Sequence, residues 1–212
     1  MKIVIVSGGT PPSYELLKKE LKNSDYLICA DSGGNCLYKY NIVPDYIMGD
    51  FDSIDSDALD FFSKEKNCSI ERFSKYKDCT DTELVLNKAI EIGGREVVLL
   101  GCTGSRIDHL MGNIGMLLKC LKLGIKASIK DNYNSIYITD KPIRIKGIKG
   151  EVFSLQAYSD CVSSLNISGA RYKLVDYNLT LGDPRTVSNE FLDDYVEINF
   201  KSGILLIFYS KD

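Results

Sequence analysis

Two aspartates, Asp50 and Asp52, follow Gly49 in the stretch YIMGDFDSID. Residues Tyr46–Met48 have the character of a strand, and carboxylates two positions apart on an extended segment point to the same side. Like charges held side by side repel each other, so the pair favours a bound cation. Carboxylate oxygens are hard ligands that suit Mg²⁺, which often also binds substrate phosphates. The stretch therefore predicts a magnesium site.

Acids also follow or flank other predicted elements. Asp31 comes directly after the apolar run Tyr26–Ala30, and Asp81 lies in the first turn of a predicted helix. Each has an ordinary structural interpretation, Asp31 as a turn or helix-cap residue and Asp81 as a favourable charge at a helix N-terminus. Ligands of a doubly wound sheet bind beyond the carboxyl ends of its strands. We therefore expect these acids to gather with Asp50 and Asp52.

The segment GCTGSR, residues 101–106, follows another apolar strand and leads into a predicted helix. Its free backbone N–H groups and its arginine favour an anion, most simply a phosphate. It is not a Walker A loop, because no G-K-[ST] occurs at the required place. Arg106 could instead pair with a neighbouring acid, and His109 could be a packed or capping histidine.

The first two-thirds of the chain alternate strand and helix signals. Thr80 and Glu83 have the spacing of a capping box at the start of a helix. Continuous apolar strands separated by helices predict a parallel sheet covered on both faces, here a Rossmann-like α/β domain. The predicted strands are Lys2–Val6, Tyr26–Ala30, Tyr46–Met48, Ser69–Phe73 and Glu96–Leu100, and the predicted helices are Tyr14–Lys22, Leu84–Ile92 and about Asp108 to Leu123.

From about Tyr133 the pattern changes to short alternating strands separated by turn residues. The strands Tyr195–Phe200 and Ile204–Tyr209, joined by Lys201-Ser202-Gly203, predict a hairpin. A smaller all-β domain of sandwich or barrel type is expected here. We place the α/β domain at residues 1–135 and the all-β domain at residues 136–212. Further predicted strands are Ile143–Ile145, Glu151–Ala157 and Arg171–Val175.

The composition is that of an ordinary globular protein, with 212 residues, 44% hydrophobic residues, 26% charged residues and a net charge of −3. No basic block and no long apolar run occur, which argues against nucleic acid and membranes as partners. The seven cysteines include no C-x-x-C pair, so reduced thiols and a cytoplasmic location are expected. A single histidine excludes a His-rich metal site.

Four segments occur in a fixed order along the chain: GDFDS at 49–53, DCTD at 78–81, GxxGxRxDH at 101–109 and SNEF at 188–191. Together with the α/β-then-all-β layout, they resemble the thiamine pyrophosphokinase family over essentially the whole chain. Each segment alone is unspecific, whereas the ordered set is quite specific. The resemblance implies transfer of the pyrophosphoryl group of ATP to the hydroxyl of thiamine, which gives thiamine diphosphate and AMP. It also implies a homodimer with thiamine bound at the subunit interface.

The resemblance also assigns roles to residues. Asp50, Asp52 and Asp81 would hold Mg²⁺, Asp31 would lie beside the phosphates, and either Asp31 or Asp108 could accept the proton of the attacking alcohol. The chain has no tryptophan, which stacks on thiamine in some members, so a Tyr or Phe serves or the contact is absent. The residues implied at the nucleotide site are Gly101, Thr103, Gly104, Arg106, Asp108 and His109, and those implied at the thiamine pyrimidine are Ser188 and Asn189.

Two other functions fit parts of the sequence. Phosphatases of the haloacid dehalogenase class carry a D-x-D-x-[TV] motif close to Asp50–Ile54, but they carry it after the first strand, whereas here it follows the third. The second alternative is a non-catalytic module that binds thiamine or nucleotide. So many carboxylates suited to a metal argue against this alternative, because a pure binding module has no need of them.

Overall fold

A computed structural model describes residues 1–76 and 78–211, and the chain forms two compact units, Met1–Asn132 and Tyr133–Asp212. The first unit alternates strands and helices, and the second is built from strands. Among the described residues, no helix has the length and apolar character needed to cross a membrane.

The strands of the first unit form a parallel sheet in the order β6-β5-β1-β2-β3-β4. Strands β2, β3 and β4 follow one another on one side of β1, and β5 and then β6 lie on its other side. The order therefore reverses between β1 and β5, where a crevice for ligands is expected. In chain order the elements are β1 (Lys2–Val6), α1 (Tyr14–Leu21), β2 (Tyr26–Ala30), α2 (Gly33–Lys39), β3 (Tyr46–Gly49), α3 (Ser56–Ser63), β4 (Ser69–Arg72), α4 (Asp81–Glu91), β5 (Glu96–Leu100), α5 (Ile107–Lys122) and β6 (Lys126–Lys130).

Burial and capping explain why these elements form. After a charged first residue, the central strands β1 and β5 are apolar and buried, as a sheet covered by helices requires. The predicted cap of α4 is confirmed, because the Thr80 hydroxyl accepts a hydrogen bond from the Glu83 N–H at 3.2 Å. Helix α5 is followed by Gly124 with φ +70°, a typical helix ending. The parallel sheet predicted from the sequence is confirmed.

The described part of the second unit forms two antiparallel sheets, with strand orders β12-β9-β14-β7 and β11-β10-β13-β8. Apolar residues of both sheets form one buried cluster, so the unit is a β-sandwich. Its strands are β7 (Asn134–Thr139), β8 (Ile143–Lys146), β9 (Val152–Ala157), β10 (Cys161–Ser168), β11 (Leu174–Thr180), β12 (Asn189–Glu190), β13 (Tyr195–Asn199) and β14 (Leu205–Ser210).

The predicted hairpin at the end of the chain is wrong. Strand β13 pairs with β8 and β10, whereas β14 pairs with β7 and β9, so the two strands lie in different sheets. Between them the Lys201 N–H donates to the Ser163 carbonyl, and the Ser163 N–H donates to the Ser202 carbonyl, both at 2.9 Å. The apolar residues of β13 and β14 face one core from opposite sides, which a hairpin within one sheet would not allow.

Substitution of Gly203 tests this crossing between the sheets. Gly203 has φ +113°, and a Cβ there would lie 2.5 Å from the Cys161 carbonyl oxygen. We expect Gly203→Ala to lower the free energy of unfolding by about 3 kcal/mol, because backbone atoms must move. Gly150→Ala is the matched control, since Gly150 has φ +88° but nothing within 4 Å of the added carbon; it should cost about 1 kcal/mol. Equal losses in urea unfolding would contradict the assignment.

Candidate active site

A cleft of about 430 Å³ lies at the carboxyl ends of β1, β2 and β5 in the first unit. It lies where the strand order of the sheet reverses, which is the usual ligand position in such sheets. Its walls come from the segments that follow these strands and from the first turns of α4 and α5. The lining residues are 7–9, 30–32, Ser53, 80–82, 101–106, His109, Leu110 and Asn113.

Close approach of two glycine-containing loops forms one wall of the cleft. The N–H of Gly9 donates to the Gly101 carbonyl at 2.7 Å, and the N–H of Thr10 donates to the Thr103 carbonyl at 2.6 Å. A Cβ at Gly9 would lie 2.2 Å from the Thr103 oxygen, so only glycine fits there. Within the described chain, no N–H of residues 102–105 donates to another backbone group. These N–H groups suit an anion, as the sequence predicts.

Asn113 is a cleft residue that the sequence analysis missed. Its side chain is buried, and its Nδ2 donates to the Cys102 carbonyl at 2.8 Å, which ties helix α5 to the loop at 101–106. Asn113 lies four residues after His109, on the same helix face. A polar residue at that spacing within an apolar helix is the signal that could have identified it.

The turn that carries Asp50 and Asp52 is not extended, although the sequence pattern predicted an extended segment there. Strand β3 ends at Gly49, and Phe51 has φ +62°, in the left-handed region. The turn is tight enough for the Asp52 N–H to donate to Asp50 Oδ1 at 3.2 Å. The two carboxylates therefore converge because the chain turns back on itself rather than because they share one side of a strand.

Asp31, Asp50 and Asp52 form a group in which each carboxylate can offer one oxygen, all within 4.8 Å of one another. Asp31 is 6% exposed; its Oδ2 accepts a hydrogen bond from the Ser53 hydroxyl. Its Oδ1 is buried and has no hydrogen-bond partner among the described residues. Oxygen donors in this arrangement fit a hard divalent cation. Of the three, Asp31 lines the cleft, whereas Asp50 and Asp52 do not; Asp81 lines the cleft but lies outside this group.

The surroundings of Asp31 disfavour its negative charge. Burial raises the pKa of Asp31, and the nearby charges of Asp81 and Asp50 raise it further, although hydrogen bonds from Ser53 and the Ser32 N–H partly oppose this. On the outer side, Lys75 Nζ lies 2.6 Å from Asp52 Oδ2 in an exposed ion pair. The innermost carboxylate is therefore the one that most needs a cation.

Arg106 pairs with Asp108, the alternative that the sequence left open. Arg106 Nη2 lies 2.6 Å from Asp108 Oδ2, and Nε lies 3.2 Å from Oδ1, in an exposed bidentate pair. The hydrogen bond from Arg106 is the main cause that lowers the pKa of Asp108 to about 2. Arg106 and His109 line the cleft, whereas Asp108 does not. A phosphate role for Arg106 stays a prediction.

Ser188 and Asn189 belong to the second unit. The Asn189 side chain is 2% exposed; it accepts from the Tyr172 N–H at 2.9 Å and donates to the Tyr172 carbonyl at 2.8 Å. These bonds fix the chain at Tyr172, a residue that is 58% exposed. Ser188 is exposed, and its N–H donates to Ser154 Oγ at 2.9 Å. Contact of Ser188 and Asn189 with thiamine stays a prediction.

Comparisons with known proteins decide the family. Residues 17–129 match the model of the thiamin pyrophosphokinase catalytic domain, and residues 138–205 match the model of the thiamin pyrophosphokinase vitamin B1 binding domain. The first match alone covers more than half of the chain. The chain belongs to the thiamine pyrophosphokinase family.

Individual members of the thiamine pyrophosphokinase family agree with this assignment. A thiamine pyrophosphokinase of Bacillus subtilis is 30% identical over 213 residues, which cover 99% of each chain. Thiamine pyrophosphokinase 1 of rice (Oryza sativa subsp. japonica) is 26% identical over 208 residues, 84% of this chain and 76% of the relative. The crystal structure of the Bacillus subtilis protein superposes with a TM-score of 0.90 at 29% identity and covers all of both chains.

Thiamine pyrophosphokinases transfer a pyrophosphoryl group from ATP to thiamine. The function predicted from the sequence is therefore confirmed, and a haloacid dehalogenase phosphatase and a non-catalytic module are set aside. The coarse fold, mixed α/β with a second antiparallel unit, also agrees with the structures of the family.

Neutralising Asp31 should stabilise the protein when no cation is bound. Because burial raises the pKa of Asp31 in the folded state, its ionised form destabilises the fold, and this penalty appears as the pH rises through that pKa. With chelator at pH 7, Asp31→Asn should raise Tm by roughly 1–4 °C. The gain should vanish at low pH, where wild-type Asp31 is protonated.

The control for this prediction is Asp60→Asn, which removes an exposed carboxylate paired with Lys64 and should leave Tm nearly unchanged at both pH values. A lower Tm for Asp31→Asn than for wild type at pH 7, with chelator present, would contradict the proposed repulsion.

Proposed function

We propose that the cleft of the first unit binds the polyphosphate of ATP together with Mg²⁺, and that pyrophosphoryl transfer to thiamine takes place there. The observation that carries this proposal is the convergence of Asp50 and Asp52 on Asp31, which lines the cleft together with the glycine loops at the reversal of the strand order. This strand order is similar to that of a Rossmann-like domain, with four strands on one side of the reversal and two on the other. We assign residues 1–135 to this catalytic domain.

We propose that Asp50 and Asp52 hold the cation together with Asp31, which takes the place that the family resemblance gave to Asp81. Asp81 would add negative charge in the cleft. The buried Asp31 Oδ1, which lacks a hydrogen-bond partner among the described residues, supports the fit of a cation to this group. When bound, a divalent cation neutralises and orients the polyphosphate. The loop at 101–106 would meet the phosphates through its N–H groups, and Arg106 would add a positive charge at the cleft.

Removal of the proton from the attacking hydroxyl requires no strong base at this site. Asp108 has a pKa of about 2 while it is paired with Arg106, which makes it a weak base near neutral pH. The loose transition state of phosphoryl transfer needs positioning and charge stabilisation more than covalent or basic help. The acids and the loops of the cleft are suited to that work, and we assign Asp108 the role of holding Arg106.

The second unit, residues 136–212 in our assignment, is proposed to bind thiamine through Ser188 and Asn189. The match of residues 138–205 to the vitamin B1 binding domain supports this. No tryptophan is available for stacking, and Tyr172 is an exposed aromatic ring in the same neighbourhood as Asn189. We also propose a cytoplasmic location, which the free thiols of the described cysteines support.

Activity should depend on the cation and on its proposed ligands. We expect a chelator to abolish turnover and Mg²⁺ to restore it, with AMP rather than ADP as the nucleotide product. Asp52→Asn should lower turnover on the order of 100-fold, because the cation loses a ligand. Asp60→Asn removes a similarly paired surface carboxylate and should keep full turnover. Unchanged turnover in Asp52→Asn, or stoichiometric ADP, would contradict the proposal.

A homodimer is the proposed assembly. The second unit leaves several large apolar side chains exposed, among them Val175 at 82%, Leu181 at 63% and Tyr172 at 58%. Burial of such a surface against a second copy would be favourable. Light scattering should give twice the chain mass of 23.7 kDa, and a monomer mass at micromolar concentration would contradict the proposal.

A further inference from the structure

We propose that Arg72 is a positioning residue that holds the turn carrying Asp50 and Asp52 and so sets the affinity for the divalent cation. The inference rests on the proposed function. Arg72 is the last residue of β4 and is paired in register with Gly49, the last residue of β3. Its side chain therefore starts beside the point where the acidic turn leaves the sheet.

Arg72 contacts consecutive residues of this turn. Its Nη1 donates to the Asp50 carbonyl at 3.0 Å, and its guanidinium lies 4.8 Å from the centroid of the Phe51 ring. A planar guanidinium can make both contacts at once, through an N–H and through its face. A lysine at this position has neither the flat face nor the forked donors.

The turn needs such support because its conformation is unfavourable in itself. Phe51 is a bulky residue with φ +62°, which residues other than glycine adopt only when their surroundings enforce it. Phe51 packs against the apolar cluster of the first unit, and the Arg72 guanidinium lies over its ring. With Phe51 held in this way, Asp50 and Asp52 stay within reach of Asp31.

A purely electrostatic role for Arg72 predicts the opposite result. A positive charge close to the acids opposes the binding of another cation, so its removal would tighten metal binding. If Arg72 instead positions the turn, removal weakens metal binding even though a repelling charge is lost. Lysine separates the two roles, because Arg72→Lys keeps the charge and loses the geometry.

The experiment measures Mn²⁺ affinity by electron paramagnetic resonance, without nucleotide or thiamine. We expect Arg72→Lys and Arg72→Gln each to weaken Mn²⁺ binding about 10-fold. Phe51→Leu, which removes the ring face, should weaken it similarly, and the Arg72→Lys/Phe51→Leu double variant should lose little more than either single variant. Phe51→Leu also keeps the test decisive if an Arg72 variant fails to fold.

Lys88→Gln is the matched control. Lys88 Nζ lies 5.0 Å from the centroid of the Tyr46 ring on β3 and 3.2 Å from Glu71 Oε1 on β4. Like the Arg72 side chain, it is a cation that contacts an aromatic ring of β3. Tyr46 begins β3, at the end opposite the acidic turn. The Lys88→Gln variant should bind Mn²⁺ as wild type does.

Other outcomes overturn the inference in distinguishable ways. Wild-type affinity in Arg72→Lys with tighter binding in Arg72→Gln would show that only charge matters, and would leave the metal site intact. No Mn²⁺ binding by the wild-type protein would overturn the metal site itself and the inference with it. With substrates present, the apparent KM for Mg²⁺ should rise about 10-fold in Arg72→Lys while the KM for thiamine stays unchanged.

Discussion

The burial of Asp31 beside the carboxylates of Asp50 and Asp52 is the constraint around which the first unit is built. Adjacent strands β2 and β3 bring the three carboxylates together, and the Asp31 N–H donates to the Met48 carbonyl at 3.0 Å. Gly49 allows this approach, because a Cβ there would lie 2.9 Å from the Cβ of Asp31. The sheet, the glycine and the strained turn at Phe51 all hold like charges together. Such an arrangement costs stability unless a cation is bound, as is common where function determines the sequence.

The neighbouring strands place backbone N–H groups at the same edge of the sheet as the acids. The order of the sheet reverses between β1 and β5, and the loops at 7–9 and 101–106 that follow these two strands lie side by side in one wall of the cleft. Their backbones approach so closely that Gly9 and Gly101 have no room for a side chain. Negative charge for a cation and N–H groups for phosphate therefore lie along one edge of the sheet. Catalysis by this arrangement would come from positioning and charge neutralisation.

Several features that depend on the local sequence pattern were predicted correctly. Features that depend on contacts between residues far apart in the chain were not. Apolar runs followed by glycine or aspartate predicted β2, β3 and β5, whereas β6 and the helices α2 and α3 were not predicted. The order of the motif segments indicated the family. The left-handed turn at Phe51 could not be predicted, because its support comes from Arg72, which lies on another strand. The final hairpin was wrong because two adjacent apolar strands can pair or can face each other across a core. The packing of the sandwich determines which of the two arrangements forms, and the local sequence pattern does not indicate that packing.

The position of a bound cation tests the central claim most directly. Crystals soaked in Mn²⁺ allow the ion to be located by anomalous diffraction, independently of any assumption about activity. We expect a peak between Asp31, Asp50 and Asp52, with oxygens of at least two of these carboxylates at roughly 2.0–2.2 Å from the ion. A fully occupied ion elsewhere in the cleft, with the three carboxylates out of its coordination shell, would contradict the claim that their repulsion is relieved by a metal.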